Sequence, residues 1–189
     1  DLFAQVKFLT LFALLFGAGL QLLLPRGSRW IQSRLTLLAL LGFIHGLLFW
    51  DGDILLAYSL VGLVCWRLVR DAREVKALFN TGAMLYVIGV AVLLLLGLIA
   101  DNGQSRSWVP DASSLLYEHY WKLNGGMEAI TNRSDMLSAN LLALGAQYGW
   151  QLAGMMLMGA ALMRCGWLKG QFSHRHYRRC AAVCISLGM

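Results

Sequence analysis

Three ionisable side chains, His45, Asp51 and Asp53, fall within nine positions in an apolar stretch, "GFIHGLLFWDGDILLAY" at residues 42–58. An imidazole beside a carboxylate is suited to moving protons near neutral pH, the carboxylate fixing the tautomer or favouring the charged ring. On this reading His45 is a general base or acyl relay, Asp53 orients it, and Asp51 is a further catalytic candidate. The structural alternative is a neutral histidine bonded to a neighbouring helix, with two aspartates that end a hairpin. Tyr58 adds a hydroxyl five residues past Asp53. Gln147 and Gln151, one helical turn apart, add amides that either line the same cavity or bond helix to helix. These three are the substrate-binding candidates.

A bilayer must position these groups. The chain is 58% hydrophobic and 14% charged, with mean hydropathy +0.60, against about 45–50% apolar residues in soluble domains. Apolar runs of membrane-spanning length predict five complete transmembrane helices, at 3–24, 31–50, 54–69, 77–100 and 137–163, and a sixth starting near 180. The fold class is therefore all-α, a polytopic helical membrane protein forming a single region over residues 1–189. Asp1 and the apolar run at the far end read as a fragment truncated at both ends, and a cytoplasmic native N-terminus would require an odd number of spans ahead of Asp1.

The net charge of +6 is read by position, so it does not imply nucleic acid. Twelve basic residues lie in the connections at 25–34, 67–76 and 164–179, which are expected to be cytoplasmic. Three, Arg106, Lys122 and Arg133, lie on the opposite side with Asp1, and Lys7 lies within the first span. The depth of His45 then depends on where the second span begins. From Leu35 it is about 24 Å long, which sinks the aspartate turn into a vestibule; from Trp30 it is about 31 Å, which leaves the turn in open water.

Trp30, Trp50 and Trp66 read as interfacial anchors. Gly42 with Gly46, Gly145 with Gly149, and Gly17 beside Gly19 read as close helix contacts. The extracytoplasmic loop at 101–136 contains "PDASSLLYEHYWKLNGG", a short surface helix starting at Pro110 and Asp111, stopping at Asn124-Gly125-Gly126, with Leu116, Tyr120 and Leu123 on one side. Tyr117, Tyr120 and Trp121 suit the headgroup layer. Asn132-Arg133-Ser134 matches a glycosylation sequon that would be idle in a bacterium. His174, His176, Cys180 and Cys184 match no ordinary zinc spacing, so no metal is expected, and the four cysteines fall toward the reducing side, so no disulfide is expected.

The motifs "FLTLFALLFGAG" (8–19), then Arg34, Gly42, His45 and "GDILLAY" (52–58), with "AQYGWQLAGMMLMGAALMR" (146–164), closely resemble the YeiB family of bacterial inner-membrane proteins, itself a domain of unknown function. The resemblance implies a multi-pass protein distantly grouped with transmembrane acyltransferases, which take an acyl group from a cytosolic thioester such as acyl-coenzyme A and pass it to an envelope or exported small molecule. No bound cofactor is expected; acyl-coenzyme A would be a donor substrate. A proton-coupled transporter using the same polar groups, or a non-catalytic scaffold, stands as the alternative, and a homo-oligomer is open.

Overall fold

The structure, a computed structural model, describes residues 2–100 and 111–188. Asp1, Arg106 and Pro110, which entered the topology and surface-helix expectations, lie outside the described residues. Helices α1 (Leu2–Leu23), α2 (Ser28–Leu48), α3 (Leu55–Asp71) and α4 (Val75–Ala100) are followed by α5 (Ala112–Asn124), α6 (Gly126–Ala143), α7 (Gly149–Arg164) and α8 (His174–Gly188). A π-turn, Leu144–Tyr148, joins α6 to α7 without a break. No strand occurs among the described residues, so the all-α expectation holds.

The five complete spans and the start of a sixth are not reproduced. Among the described residues three stretches are long and apolar enough to cross a membrane: Phe8–Arg26, Ser28–Leu48 and Val75–Ile99. Helix α3 has only 17 residues and ends in Arg67, Arg70 and Asp71, and the expected span at 137–163 is divided by the π-turn. Its helix also begins earlier, at Gly126, and carries Glu128, Arg133 and Asp135 into the segment expected to be loop.

Helix α7 is the centre of the bundle, packed against α4, α1 and α3. Its Met156, Leu157, Ala160 and Ala161 are buried with Ala13, Leu20, Cys65 and Val69. Two glycines allow the approach of α1: a Cβ on Gly17 would overlap the backbone of Met156, and one on Gly159 the backbone of Leu14. Backbones this close gain dispersion contacts that larger residues prevent. The expected glycine steps fare unequally. Gly19 and Gly145 have nothing within 4 Å, and Gly149 meets only Leu144 of its own π-turn, whereas Gly17 and Gly42 are close contacts.

Trp66 is not an interfacial anchor. It is 2% exposed, inside the core, with the Arg70 guanidinium carbon 4.9 Å from its ring centroid. Trp30 and Trp50 are exposed. At this end Arg164, the last residue of α7, donates to Gln21 Oε1 on α1 at 3.0 Å, to the Ala72 carbonyl at 2.7 Å and to the Val69 carbonyl. One guanidinium thus takes up the open carbonyls at the end of α3 and ties α1, α3 and α7 together.

Candidate functional site

The other end of the bundle is organised by the turn between α2 and α3. Helix α2 stops where the His45 carbonyl accepts from both Phe49 and Trp50, at 2.9 and 3.0 Å, and where Arg133 of α6 donates to the Leu48 carbonyl at 2.6 Å. Helix α3 starts under Asp53, whose Oδ2 accepts the Leu56 N–H at 2.9 Å in the manner of an N-cap. The other oxygen, Oδ1, lies 3.0 Å from His45 Nδ1. One carboxylate therefore both accepts an N–H in the first turn of a helix and holds an imidazole.

Gly42 makes the arrangement sterically possible. A Cβ there would overlap the backbone nitrogen of Leu56 and stand 2.9 Å from Asp53 Oδ2, whereas one on Gly46 would meet its nearest atoms, on Asp53 and Leu137, at 3.4 Å.

The Asp53 side chain is 2% exposed and that of His45 is 41% exposed. An ionised carboxylate only accepts hydrogen bonds, so the proton of a neutral His45 is assigned to Nδ1, which leaves the Nε2 lone pair as the base. The ring packs beside Phe49 and Trp50, with centroids 6.1 and 6.2 Å away. The length of α2, 21 residues or about 31 Å, fits a full membrane crossing, yet the Asp53 carboxylate is withdrawn from the surface.

Asp51 does not join the pair. Its side chain is 21% exposed and turns to Lys122 of α5, at 3.5 Å, while Lys122 donates to Glu118 at 2.6 Å. That bond to Glu118 holds the Lys122 ammonium above its ordinary pKa. Helix α5 forms as expected, but Trp121 is buried against the protein rather than placed in the headgroup layer, and Leu116, Tyr120 and Leu123 are exposed. The sequon residue Asn132 lies inside α6, its amide donating to the Glu128 carbonyl at 2.9 Å and the Tyr117 hydroxyl at 3.3 Å.

Asp53 also forms part of the wall of an open cavity of about 510 Å³ bordered by α1, the start of α3, α4 and the α6–α7 helix. Tyr58, Tyr86 and Tyr148 line it with Asn140 and Gln151. Tyr58 donates its hydroxyl to the Leu9 carbonyl at 2.9 Å. Of the expected substrate-binding residues, Tyr58 and Gln151 line the cavity; Gln147 is not among its lining residues. The reason is the π-turn. Its extra residue sets later side chains back on the helical wheel, so Tyr148 comes toward Asn140, whose carbonyl its hydroxyl reaches at 3.4 Å. Sequence reasoning misses Tyr86, which lies in an apolar helix, and Asn140 and Tyr148, which the π-turn brings together without any residue-type signal.

The whole chain is 77% identical to "Uncharacterized protein YeiB" of Escherichia coli, covering 49% of that protein. Over 114 residues, 57% of this chain and 27% of the relative, it is 38% identical to "Uncharacterized protein YxaH" of Bacillus subtilis. The chain thus spans half or less of the length of the curated relatives it matches. No family model matches it, and no solved structure does.

Proposed function

We propose, for a chain that is YeiB-like along its whole length, a multi-pass protein of the bacterial inner membrane that performs acid–base chemistry on a small molecule held beside His45 and Asp53. The short helices α3 and α7 cross together with the longer ones that pack around them, and α8 leads into a further span. The basic connections at 25–34, 67–76 and 164–179 face the cytoplasm and Asp1 the periplasm. The observation that carries the reading is that the carboxylate bonded to the imidazole is also a wall of the cavity. Ionisable groups at membrane depth are costly, so a paired set beside a largely apolar cavity with a few polar groups favours a functional use.

The reaction is acyl transfer from a cytosolic thioester such as acyl-coenzyme A to a small acceptor. The acceptor's hydroxyl or amine gives its proton to His45 Nε2 as its heteroatom attacks the thioester carbonyl. The C–S bond then breaks, and the imidazolium returns the proton to the leaving thiolate. Asp53 holds the ring and stabilises the imidazolium, as carboxylates do in hydrolase triads. Tyr58 and Gln151 position the acceptor. Gln147 and Asp51 stand outside this set.

One observation favours transport instead. The pair lies where α2 ends and α3 begins, whereas the basic residues that would attract a phosphate-bearing donor gather where α2 begins and where α3 and α7 end. A proton relay needs no such donor.

His45→Gln in the full-length protein tests the reading. The amide keeps hydrogen bonds but cannot take a proton, so thiol release from acetyl-coenzyme A in the presence of envelope extract should fall by roughly 100-fold or more, with melting unchanged. Proton-linked flux lost in its place would favour the transporter. Full activity in the variant overturns any proton-handling role for His45.

A further inference from the structure

The cavity has a distinct electrostatic character. Among its lining residues Asp53 is the sole formally charged side chain, and the remaining polar groups are hydroxyls and amides. Three tyrosine rings, from α3, α4 and the π-turn, give it aromatic surface. Anions find no cation there, and desolvating them would be uncompensated. A carboxylate in a wall shared with tyrosines is instead a combination suited to ammonium groups, and about 510 Å³ is the size of a small-ligand site.

We propose that this cavity binds a small organic cation, and that its binding drives a proton off His45. The inference rests on the acid–base reading of the pair and names the ligand class of the same site. The ligand's ammonium and the imidazolium would both be neutralised by Asp53, whose Oδ1 is bonded to His45 and whose Oδ2 caps α3. Two cations on one carboxylate repel each other, so the bound cation disfavours the charged ring. By reciprocity, protonation of His45 weakens binding.

Other groups around Asp53 do not substitute for this exchange. Tyr58 and Tyr148 face the cavity with their hydroxyls on backbone carbonyls, and Tyr86 faces it from α4. Thr10 is the polar residue from α1 and does not titrate. Asp51 is engaged by Lys122 of α5, and Arg133 of α6 by the Leu48 carbonyl.

Calorimetric titration of the full-length protein in detergent tests this with choline and its uncharged isostere 3,3-dimethylbutan-1-ol. Choline should bind at least tenfold more tightly. On the acid side of the imidazole titration its affinity should fall by up to about tenfold per pH unit, with proton release detected by comparing buffers of different ionisation enthalpy. His45→Gln should bind choline without pH dependence. Asp53→Asn should lose the preference for the charged probe, and Tyr86→Leu, which keeps both members of the pair, should weaken choline. Absence of choline binding, or equal binding of the two probes, overturns the ligand class. Unchanged pH dependence in His45→Gln overturns the coupling. The readout is binding, so it fails separately from the acid–base reading, which is judged on turnover or flux.

Discussion

The two ends of the bundle use their polar residues in opposite ways. At the end where α3 and α7 stop, Arg164 gives three hydrogen bonds, to Gln21, Val69 and Ala72. At the opposite end, where α2 turns into α3, His45 is tied at Nδ1 to a carboxylate that borders a cavity. A charge surrounded by backbone partners fixes helices. One shared between a titratable ring and a cavity can change its partner. The difference separates a clamp from a site, and each substitution below is a way to erase or widen it.

Arg164→Ala has the largest expected effect on folding. It leaves two carbonyls and an amide without their charged donor, which should cost roughly 2–4 kcal/mol, read as a lowered melting temperature in detergent. His45→Gln should melt like the parent, since Gln keeps a partner for Asp53. If both variants melt alike, the clamp and the site are not different in kind.

Gly42→Ala comes next, and it joins stability to function. The added methyl must displace the backbone of α3 at Leu56, so a loss of about 1–3 kcal/mol is expected, together with activity, because Asp53 is carried away from His45. Gly46→Ala, with its nearest neighbours at 3.4 Å, should be tolerated. Equal damage from both would mean that α3 is not seated on Gly42.

Which of these features can be read from sequence follows from how far apart their partners lie. His45 and Asp53 stand eight residues apart in an apolar background, so burial cost alone singles them out. Asp51 is alike in type and neighbourhood, but its partner Lys122 is 71 positions away, and nothing local separates it from Asp53. Arg164 is concealed as one of twelve basic residues in the connections at 25–34, 67–76 and 164–179, since charge counting cannot distinguish a clamp from a solvated arginine. The π-turn exchanges Gln147 for Tyr148 without any residue-type signature, because a backbone hydrogen-bond shift carries no side-chain code. Trp66 follows the rule for span ends in sequence and departs from it in space, where α3 is enclosed by its neighbours. The all-helical fold itself was plain from apolar run length.

Gly145→Ala should change stability in the opposite direction. The glycine sits in the π-turn with nothing within 4 Å, so removing its backbone freedom should stabilise by about 0.5–1 kcal/mol. Destabilisation in its place would show that another group packs on this spot.

Asp51→Asn should have the smallest effect, and it sets the sharpest limit on the site. Its ion pair is long at 3.5 Å and partly open to solvent, and Lys122 keeps the shorter bond to Glu118 when the carboxylate is removed. Exposed pairs of this kind contribute roughly 0–1 kcal/mol and are screened by salt, so the melting temperature should shift little, and less still at high ionic strength. Activity and choline binding should both persist. The matching change two residues on, Asp53→Asn, removes the charge that His45 and the cavity share and should abolish both. The contrast controls for charge, for side-chain type and for position in the turn, leaving hydrogen-bonded geometry as the variable. If Asp51→Asn proves as damaging as Asp53→Asn, function depends on the negative potential of the whole turn, and the individual bond between Asp53 and His45 loses its special place.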